Sequence, residues 1–101
     1  MILVRDVFRL KFGKAREALA AWKAMGEHAR RANPGGGTPR VLTDLVGPYY
    51  TLVMESTFPD LTSYERLHSS TMNDTEWRKT YQTFTPLVES GYREIFTIHD
   101  V

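Results

Sequence analysis

The stretch MILVRDVFRLKFGKAREALAAWKAM, residues 1–25, contains the change of hydrophobic period that decides the fold. In residues 2–12 successive side chains alternate between two faces, and a period of two is typical of a β-strand. Gly13 ends this alternation. In residues 14–32 apolar side chains recur at spacings of three and four in an alanine-rich run, which predicts an amphipathic helix. The chain therefore opens with a strand followed by a helix.

A loop and two further strands are predicted after this helix. Residues 33–39, NPGGGTP, cannot continue a helix and are predicted to form a loop. No Lys-Ser or Lys-Thr pair follows the glycines, so the segment does not match a phosphate-binding loop. Residues 40–46 and residues 49–58 are predicted strands on either side of a Gly47-Pro48 turn, and the second of them is rich in aromatic and β-branched residues.

The next segment is helical in pattern and leads to a last strand. A helix is predicted to begin at Pro59-Asp60, with Asp60 or Thr62 as its N-cap. Asn73-Asp74 breaks or restarts the helix, and Gly91 is predicted to stop it. Its apolar stripe consists of Tyr64, Leu67, His68, Met72, Trp77, Tyr81, Phe84 and Val88. Residues 93–101 are the fourth predicted strand.

The resulting order is β-α-β-β-α-β, the split βαβ arrangement of ferredoxin-like α+β folds. Because crossover connections are right-handed, both helices are expected on the same face of a four-stranded antiparallel sheet. We predict one domain that comprises residues 1–101, since single domains commonly contain about 100–150 residues. The other face of the sheet carries no helix.

This uncovered face mixes aliphatic groups with charges of both signs. On the first and third predicted strands its residues are Leu3, Arg5, Val7, Arg9, Thr51, Val53, Glu55 and Thr57. We expect it to be self-complementary and to form a homodimer, in which Arg5 or Arg9 of one copy meets an acid of the other. The candidate acids are Asp44 and Glu55. A solvent-exposed face and a ligand-binding sheet are the alternatives.

The composition excludes several classes of protein. The 101 residues carry 13 Lys+Arg and 12 Asp+Glu, and a net charge of +1 gives no electrostatic case for binding nucleic acid or an anionic membrane. The third predicted strand also lacks the pattern of RNA-binding sheets. Without cysteine the chain has no disulfide and no thiolate metal site, and charges near the N-terminus do not fit a signal peptide. We expect a cytoplasmic protein that does not span a membrane.

Two segments resemble known families. Residues 10–14, LKFGK, lead into a helix that carries Trp22, and this is similar to the Leu-Lys-Pro-Gly-Lys entry of NIPSNAP-like proteins. Residues 58–65, FPDLTSYE, precede a helix that contains Trp77 and resemble the antibiotic-biosynthesis-monooxygenase-like group. Both belong to the dimeric α/β-barrel superfamily. The resemblance implies a homodimer in which each subunit has a small-molecule pocket between sheet and helices, and members of the superfamily include cofactor-free oxygenases that act on polycyclic phenols.

The candidate pocket residues combine one histidine with aromatic and acidic side chains. His68 lies on the same side of the helix as Tyr64, and an imidazole titrates close to neutral pH, which suits acid/base chemistry. Tyr81 is the second acid/base candidate. Asp6 interrupts an apolar strand face, so it marks either a polar pocket or a structural ion pair. The other candidate ligand-pocket residues are Phe8, Trp22, Met54, Tyr64 and Trp77. The alternative is that His68 lies at the edge of the core and that the aromatic residues fill it.

No cofactor or metal site is predicted. The three histidines do not have the spacing of metal ligands, and no Gly-x-Ser-x-Gly motif or cysteine supplies a nucleophile. Two functions remain. The first is a small-molecule-binding barrel that carries out cofactor-independent oxidation or proton transfer on a flat apolar substrate. The second is a non-catalytic binding or assembly protein with a filled aromatic core. An empty cavity of about 300 Å³ or more that contains His68 would favour the first.

Overall fold

A computed structural model describes residues 1–32 and 39–101 of the chain, with the side chain of residue 32 excepted. The loop predicted for residues 33–39 therefore lies, apart from Pro39, outside the described residues. The strands are β1 Ile2–Leu10, β2 Arg40–Thr43, β3 Thr51–Phe58 and β4 Val88–Thr97. The helices are α1 Ala15–Ala32, α2 Leu61–Met72 and α3 Thr75–Phe84, and a 3₁₀ turn, Thr85–Leu87, connects α3 to β4.

The four strands form one antiparallel sheet in the order β2-β3-β1-β4. The helices pack on one face, as the split βαβ order predicts. This confirms the ferredoxin-like α+β fold. The register of β1 pairs Asp6 with Met54 on one side and with Arg93 on the other, so these three residues point to the helix side.

The core lies between α1, α3 and the helix-facing side of the sheet. Leu10, Met25, Leu52 and Phe84 are its largest fully buried side chains. Burial of an apolar side chain of this size contributes about 1.5–3 kcal/mol, so these four contacts hold both helices against the sheet. The predicted facing of β1 and β3 is correct, because Phe8, Leu10, Leu52 and Met54 all belong to this cluster or pack against it.

Two helix boundaries match the sequence pattern. The carboxylate of Asp60 accepts a hydrogen bond of 2.8 Å from the backbone N–H of Ser63, so Asp60 is the N-cap of α2. This hydrogen bond lowers the pKa of Asp60 below its ordinary value of 3.8. Asn73 and Asp74 separate α2 from α3, as expected.

The predicted continuation of the helix to Gly91 is wrong. The helix ends at Phe84, because Pro86 has no backbone N–H to donate and the chain tightens into the 3₁₀ turn. Strand β4 then begins at Val88 rather than at residue 93, and it includes Gly91, which lies opposite Phe8. It also ends at Thr97, so His99 lies beyond the sheet and is exposed.

The other three strands are shorter than predicted. Strand β1 ends at Leu10 instead of residue 12, after a register shift between Arg9 and Leu10. Strand β2 ends at Thr43 instead of residue 46, and β3 begins at Thr51 instead of residue 49. The reason for the late start is Tyr50, whose φ of 59° lies in the left-handed region and cannot belong to a strand.

The uncovered face carries two parallel rows that cross all four strands. The charged row is Arg40, Glu55, Arg5 and Glu94, in which the signs alternate. The Glu55 carboxylate lies 3.3 Å from Nε of Arg5 and 2.5 Å from an Nη of Arg40, and Glu94 lies 3.3 Å from Arg5. The neighbouring apolar row is Leu42, Val53, Val7 and Tyr92.

The four charged residues predicted at the interface have the following contacts within one chain. Arg5 and Glu55 form an ion pair, and their contact with a second copy stays a prediction. Asp44 accepts a hydrogen bond of 2.9 Å from the backbone N–H of Thr51 and thereby closes the β2–β3 connection. Arg9 is exposed and makes no ion pair within residues 1–32 and 39–101.

Candidate functional site

A cavity of ≈ 170 Å³ lies between the sheet and the helices. Side chains from β1, β3, β4 and all three helices line it, and its walls are mostly apolar. All eight candidate residues from the sequence are among them: Asp6, Phe8, Trp22, Met54, Tyr64, His68, Trp77 and Tyr81. The fold thus brings together residues that are as far apart as position 6 and position 81. Their roles in binding or chemistry are a separate matter and stay predictions.

The sheet side of the cavity contains an ion pair. Asp6 is only 6% exposed, and its carboxylate lies 2.5 Å from Nε of Arg93 on the adjacent strand. Burial by itself would lower the pKa of Arg93, but the hydrogen bond to Asp6 and its negative charge raise that pKa above its ordinary value. Arg93 therefore keeps its positive charge beside Asp6. Asp6 lines the cavity and also belongs to an ion pair. Both interpretations drawn from its position in the sequence therefore apply.

Arg93 is the charged cavity residue that the sequence pattern does not reveal. The pattern identifies it only as the first residue of the last predicted strand, because it does not give the register of β4. The signal was Asp6 itself, because a buried carboxylate needs a cationic partner. Arg93 is the only lysine or arginine among residues 88–97, the segment that pairs with β1 at Asp6.

Tyr64 and His68 form the α2 side of the cavity. Their ring centroids are 5.6 Å apart, and the Arg93 guanidinium carbon lies 5.8 Å from the centroid of the Tyr64 ring. This distance permits a cation–π interaction. Burial raises the pKa of Tyr64 above 10.0, and the charge of Asp6 raises it further, although Arg93 opposes both effects. Tyr64 is therefore a neutral phenol at physiological pH.

The α1 and α3 sides are aromatic. Trp77 and Tyr81 stack with a centroid distance of 5.0 Å and an angle of 12°. Trp22 packs on Phe8 at 5.8 Å and meets the edge of Phe84 at 5.4 Å. These contacts fix the rings that surround the cavity, so its shape is largely set before any ligand enters.

Two polar atoms in the cavity walls lack partners. Nε1 of Trp22 and Oη of Tyr64 are buried and make no hydrogen bond to any part of the chain that the structure describes. Both side chains line the cavity. A buried donor without a partner costs about 1–3 kcal/mol. A ligand or ordered water with an oxygen at each position would remove that cost.

The residue pattern matches a known family. The NIPSNAP family model matches residues 5–100, which is nearly the whole chain. The chain belongs to the NIPSNAP family. This confirms the resemblance drawn from residues 10–14 and Trp22. No curated protein sequence is similar enough to match the chain.

Solved structures with the same fold include NIPSNAP proteins and oxygenases. An uncharacterised NIPSNAP domain protein from Burkholderia xenovorans is 16% identical, with a TM-score of 0.84, and the match covers 98% of this chain and 95% of that one. SnoaB from Streptomyces nogalater, a cofactor-independent oxygenase, is 13% identical, with a TM-score of 0.73 and coverage of 99% and 94%. At these identities the likeness extends to the fold alone. This NIPSNAP chain and SnoaB thus share a fold.

The cavity of this NIPSNAP protein is smaller than a typical drug-sized site. Its ≈ 170 Å³ falls below the criterion of about 300 Å³ for the binding hypothesis. It nevertheless exceeds the roughly 150 Å³ that holds a benzene molecule in an engineered protein cavity. The cavity therefore has room for one six-membered ring.

Residues 1–32 and 39–101 contain no cluster of three histidine, aspartate or glutamate side chains with the geometry of a metal site. Among the helices of these same segments, none has both the length and the apolar character that a membrane span requires.

Proposed function

We propose that this NIPSNAP protein binds a small aromatic molecule in the cavity between sheet and helices and transfers a proton to or from it without a cofactor. The observation that supports this most is the pair of buried, unpartnered polar atoms, Trp22 Nε1 and Tyr64 Oη, in the wall of an apolar cavity. A cavity that served only as packing would gain nothing from two unsatisfied polar groups.

His68 is the proposed acid/base group. It lines the cavity beside Tyr64, and an imidazole accepts or donates a proton near neutral pH. Tyr81, which stacks on Trp77, is the second candidate and would contact the flat face or edge of the ligand. The shared fold with SnoaB is compatible with chemistry that needs no cofactor, although that activity is known for SnoaB and not for this chain.

A non-catalytic protein is the second candidate function. It is favoured by the size of the cavity, ≈ 170 Å³, and by the aromatic contacts that already occupy much of the space between sheet and helices. In that case His68 is an edge-of-core residue, and the cavity is a packing defect.

We also propose that the chain forms a homodimer through the uncovered face of its sheet. The support is the apolar row that crosses this face, in which Leu42 is 40% and Tyr92 59% exposed. Because the charged row is paired within the chain, the apolar row is the part of the face that gains most from a second copy.

A fluorescence titration separates the two candidate functions. With excitation at 295 nm, phenol should quench the tryptophans of the wild type, and its affinity should change between pH 5 and pH 8. His68→Ala should keep the fold and the quenching but lose that pH dependence. His99→Ala, which removes an exposed histidine beyond the sheet, should behave like the wild type. The catalytic proposal fails if His68→Ala retains the pH dependence, and ligand binding fails as well if phenol leaves the tryptophans unperturbed.

A further inference from the structure

The walls of the cavity specify which atoms a ligand must carry. The indole N–H of Trp22 can only donate a hydrogen bond, so it requires an acceptor atom. The hydroxyl of Tyr64 can donate or accept, and because its pKa is raised it keeps its proton. Each group lacks a partner in the described segments, and each lies on a different helix, α1 for Trp22 and α2 for Tyr64.

These two groups have different neighbours in the cavity walls. Trp22 packs on Phe8, whereas Tyr64 lies beside Arg93, the partner of Asp6. Phe8 and Asp6 are successive helix-facing positions of β1, and such positions are about 7 Å apart along a strand. A ligand with two oxygens can offer a separate partner to each group.

The charge of the walls limits the ligand further. The only charged side chains that line the cavity are Asp6 and Arg93, among the residues described, and they neutralise each other. Apart from the imidazole of His68, a ligand anion would meet no unpaired basic group in these walls, and burial of an unpaired charge is costly. An uncharged ligand has no such cost.

We infer that the ligand is an uncharged single-ring compound with two oxygens, of the dihydroxybenzene type, one held by Trp22 Nε1 and the other by Tyr64 Oη. This rests on the proposed function, because it takes the cavity to be a ligand site. It adds the recognition residues and the substrate class. Trp22 and Tyr64 are binding residues here, and His68 keeps its separate role in proton transfer.

A series of compounds with equal numbers of heavy atoms tests the inference. Hydroquinone, 4-methylphenol and p-xylene carry two, one and no oxygens, and their dissociation constants can be measured by NMR chemical-shift titration under nitrogen. In the wild type we expect affinity to fall about tenfold with each oxygen removed, the effect of one buried hydrogen bond on a polar group that otherwise lacks a partner. The anion 4-hydroxybenzoate should bind more weakly than hydroquinone.

Variants assign each oxygen to its residue. Trp22→Phe removes the N–H but keeps an aromatic ring, and it should abolish the advantage of hydroquinone over 4-methylphenol. Tyr64→Phe should do the same, and the double variant should bind all three compounds equally. Tyr49→Phe removes an exposed hydroxyl that does not line the cavity, and it should leave the wild-type order unchanged.

The outcomes separate this inference from the proposed function. Equal binding of the three compounds to the wild type would overturn the oxygen recognition while the aromatic site itself stands. A wild-type order that survives in the double variant would also overturn it. If none of the three compounds binds, the cavity is not a ligand site, and the proposed function and the inference both fall.

Discussion

At the scale of single residues, the site depends on which polar groups are paired and which are not. Asp6 is satisfied by Arg93 across two strands, and the ion pair fixes one wall of the cavity. Oη of Tyr64 and Nε1 of Trp22 are buried and have no partner in the described segments, and a folded protein keeps few such groups unless they have a use. This contrast between paired and unpaired polar groups in one small cavity is the reason for our proposal that the cavity binds a ligand.

Tyr64 should ionise at a higher pH than a tyrosine in the unfolded chain. Burial raises its pKa above 10.0, so its phenol remains neutral while the unfolded chain loses that proton. The folded state then binds more protons, and stability should fall as pH rises from 10 through the folded pKa. The measurement is the absorbance at 295 nm during alkaline titration. The wild type should show one rise in this absorbance that Tyr64→Phe lacks, and the rise should be centred above pH 10. A rise centred at or below pH 10 would show that the hydroxyl is solvated.

At the scale of secondary structure, the connection from α3 to β4 shows what the sequence could and could not provide. The helical stripe continues through Phe84 to Val88, so spacing alone predicts a helix that continues past Phe84. Residues 88–97 form a strand instead, because their backbone groups make hydrogen bonds to β1. Such pairing is long-range and leaves no local periodicity. The same limit explains Arg93, whose importance depends entirely on lying opposite Asp6.

The predictions that held were those with a local cause. Asp60 caps α2 through a residue three positions away, and Asn73-Asp74 interrupts the helices because of its own turn preference. Alternation and helical spacing determine the face of an element, so they account for the position of the eight candidate residues in the cavity walls, while the roles of these residues stay predictions. Whether they enclose space, and how much, depends on packing that no pattern of residues reveals.

Gly91 provides a test of the β4 register. A Cβ at this position would lie 3.1 Å from Cδ1 of Phe8 and 3.1 Å from the backbone oxygen of Val7. The backbone oxygen cannot move without disturbing the sheet. Gly91→Ala should therefore destabilise the fold by about 1–3 kcal/mol, the usual cost of overpacking. Ser90→Ala, at the neighbouring exposed position of the same strand, should change the urea midpoint little. Similar midpoints for both variants would contradict the pairing of Gly91 with Phe8.

At the scale of the whole molecule, the two faces of the sheet differ in what covers them. One face and the three helices enclose the cavity. The other presents a charged row that is paired within the chain and an apolar row that is partly exposed. Arg9 adds an exposed charge beside the apolar row. A small domain buries only about 60–70% of its unfolded surface, so a second copy on this face would also add stability.

The dimer is tested by two variants that make the same change in charge. Tyr92→Glu places a carboxylate in the apolar row, whereas Gln82→Glu places one on the exposed surface of α3. Light scattering after size exclusion should give about twice the chain mass of 11.6 kDa for the wild type and for Gln82→Glu at micromolar concentration. Tyr92→Glu should give the monomer mass. A monomeric wild type, or a Tyr92→Glu variant that remains dimeric, would show that the apolar row is not the interface.

The central claim is that the cavity between sheet and helices is a binding site for a single aromatic ring, and a crystal structure of the wild type grown with phenol tests it most directly. The account predicts one phenol ring between Trp22 and Tyr64, with its oxygen within hydrogen-bond distance of Trp22 Nε1 or Tyr64 Oη. A cavity closed by the protein's own side chains, with no phenol in it at a concentration that saturates fluorescence quenching, would contradict the account.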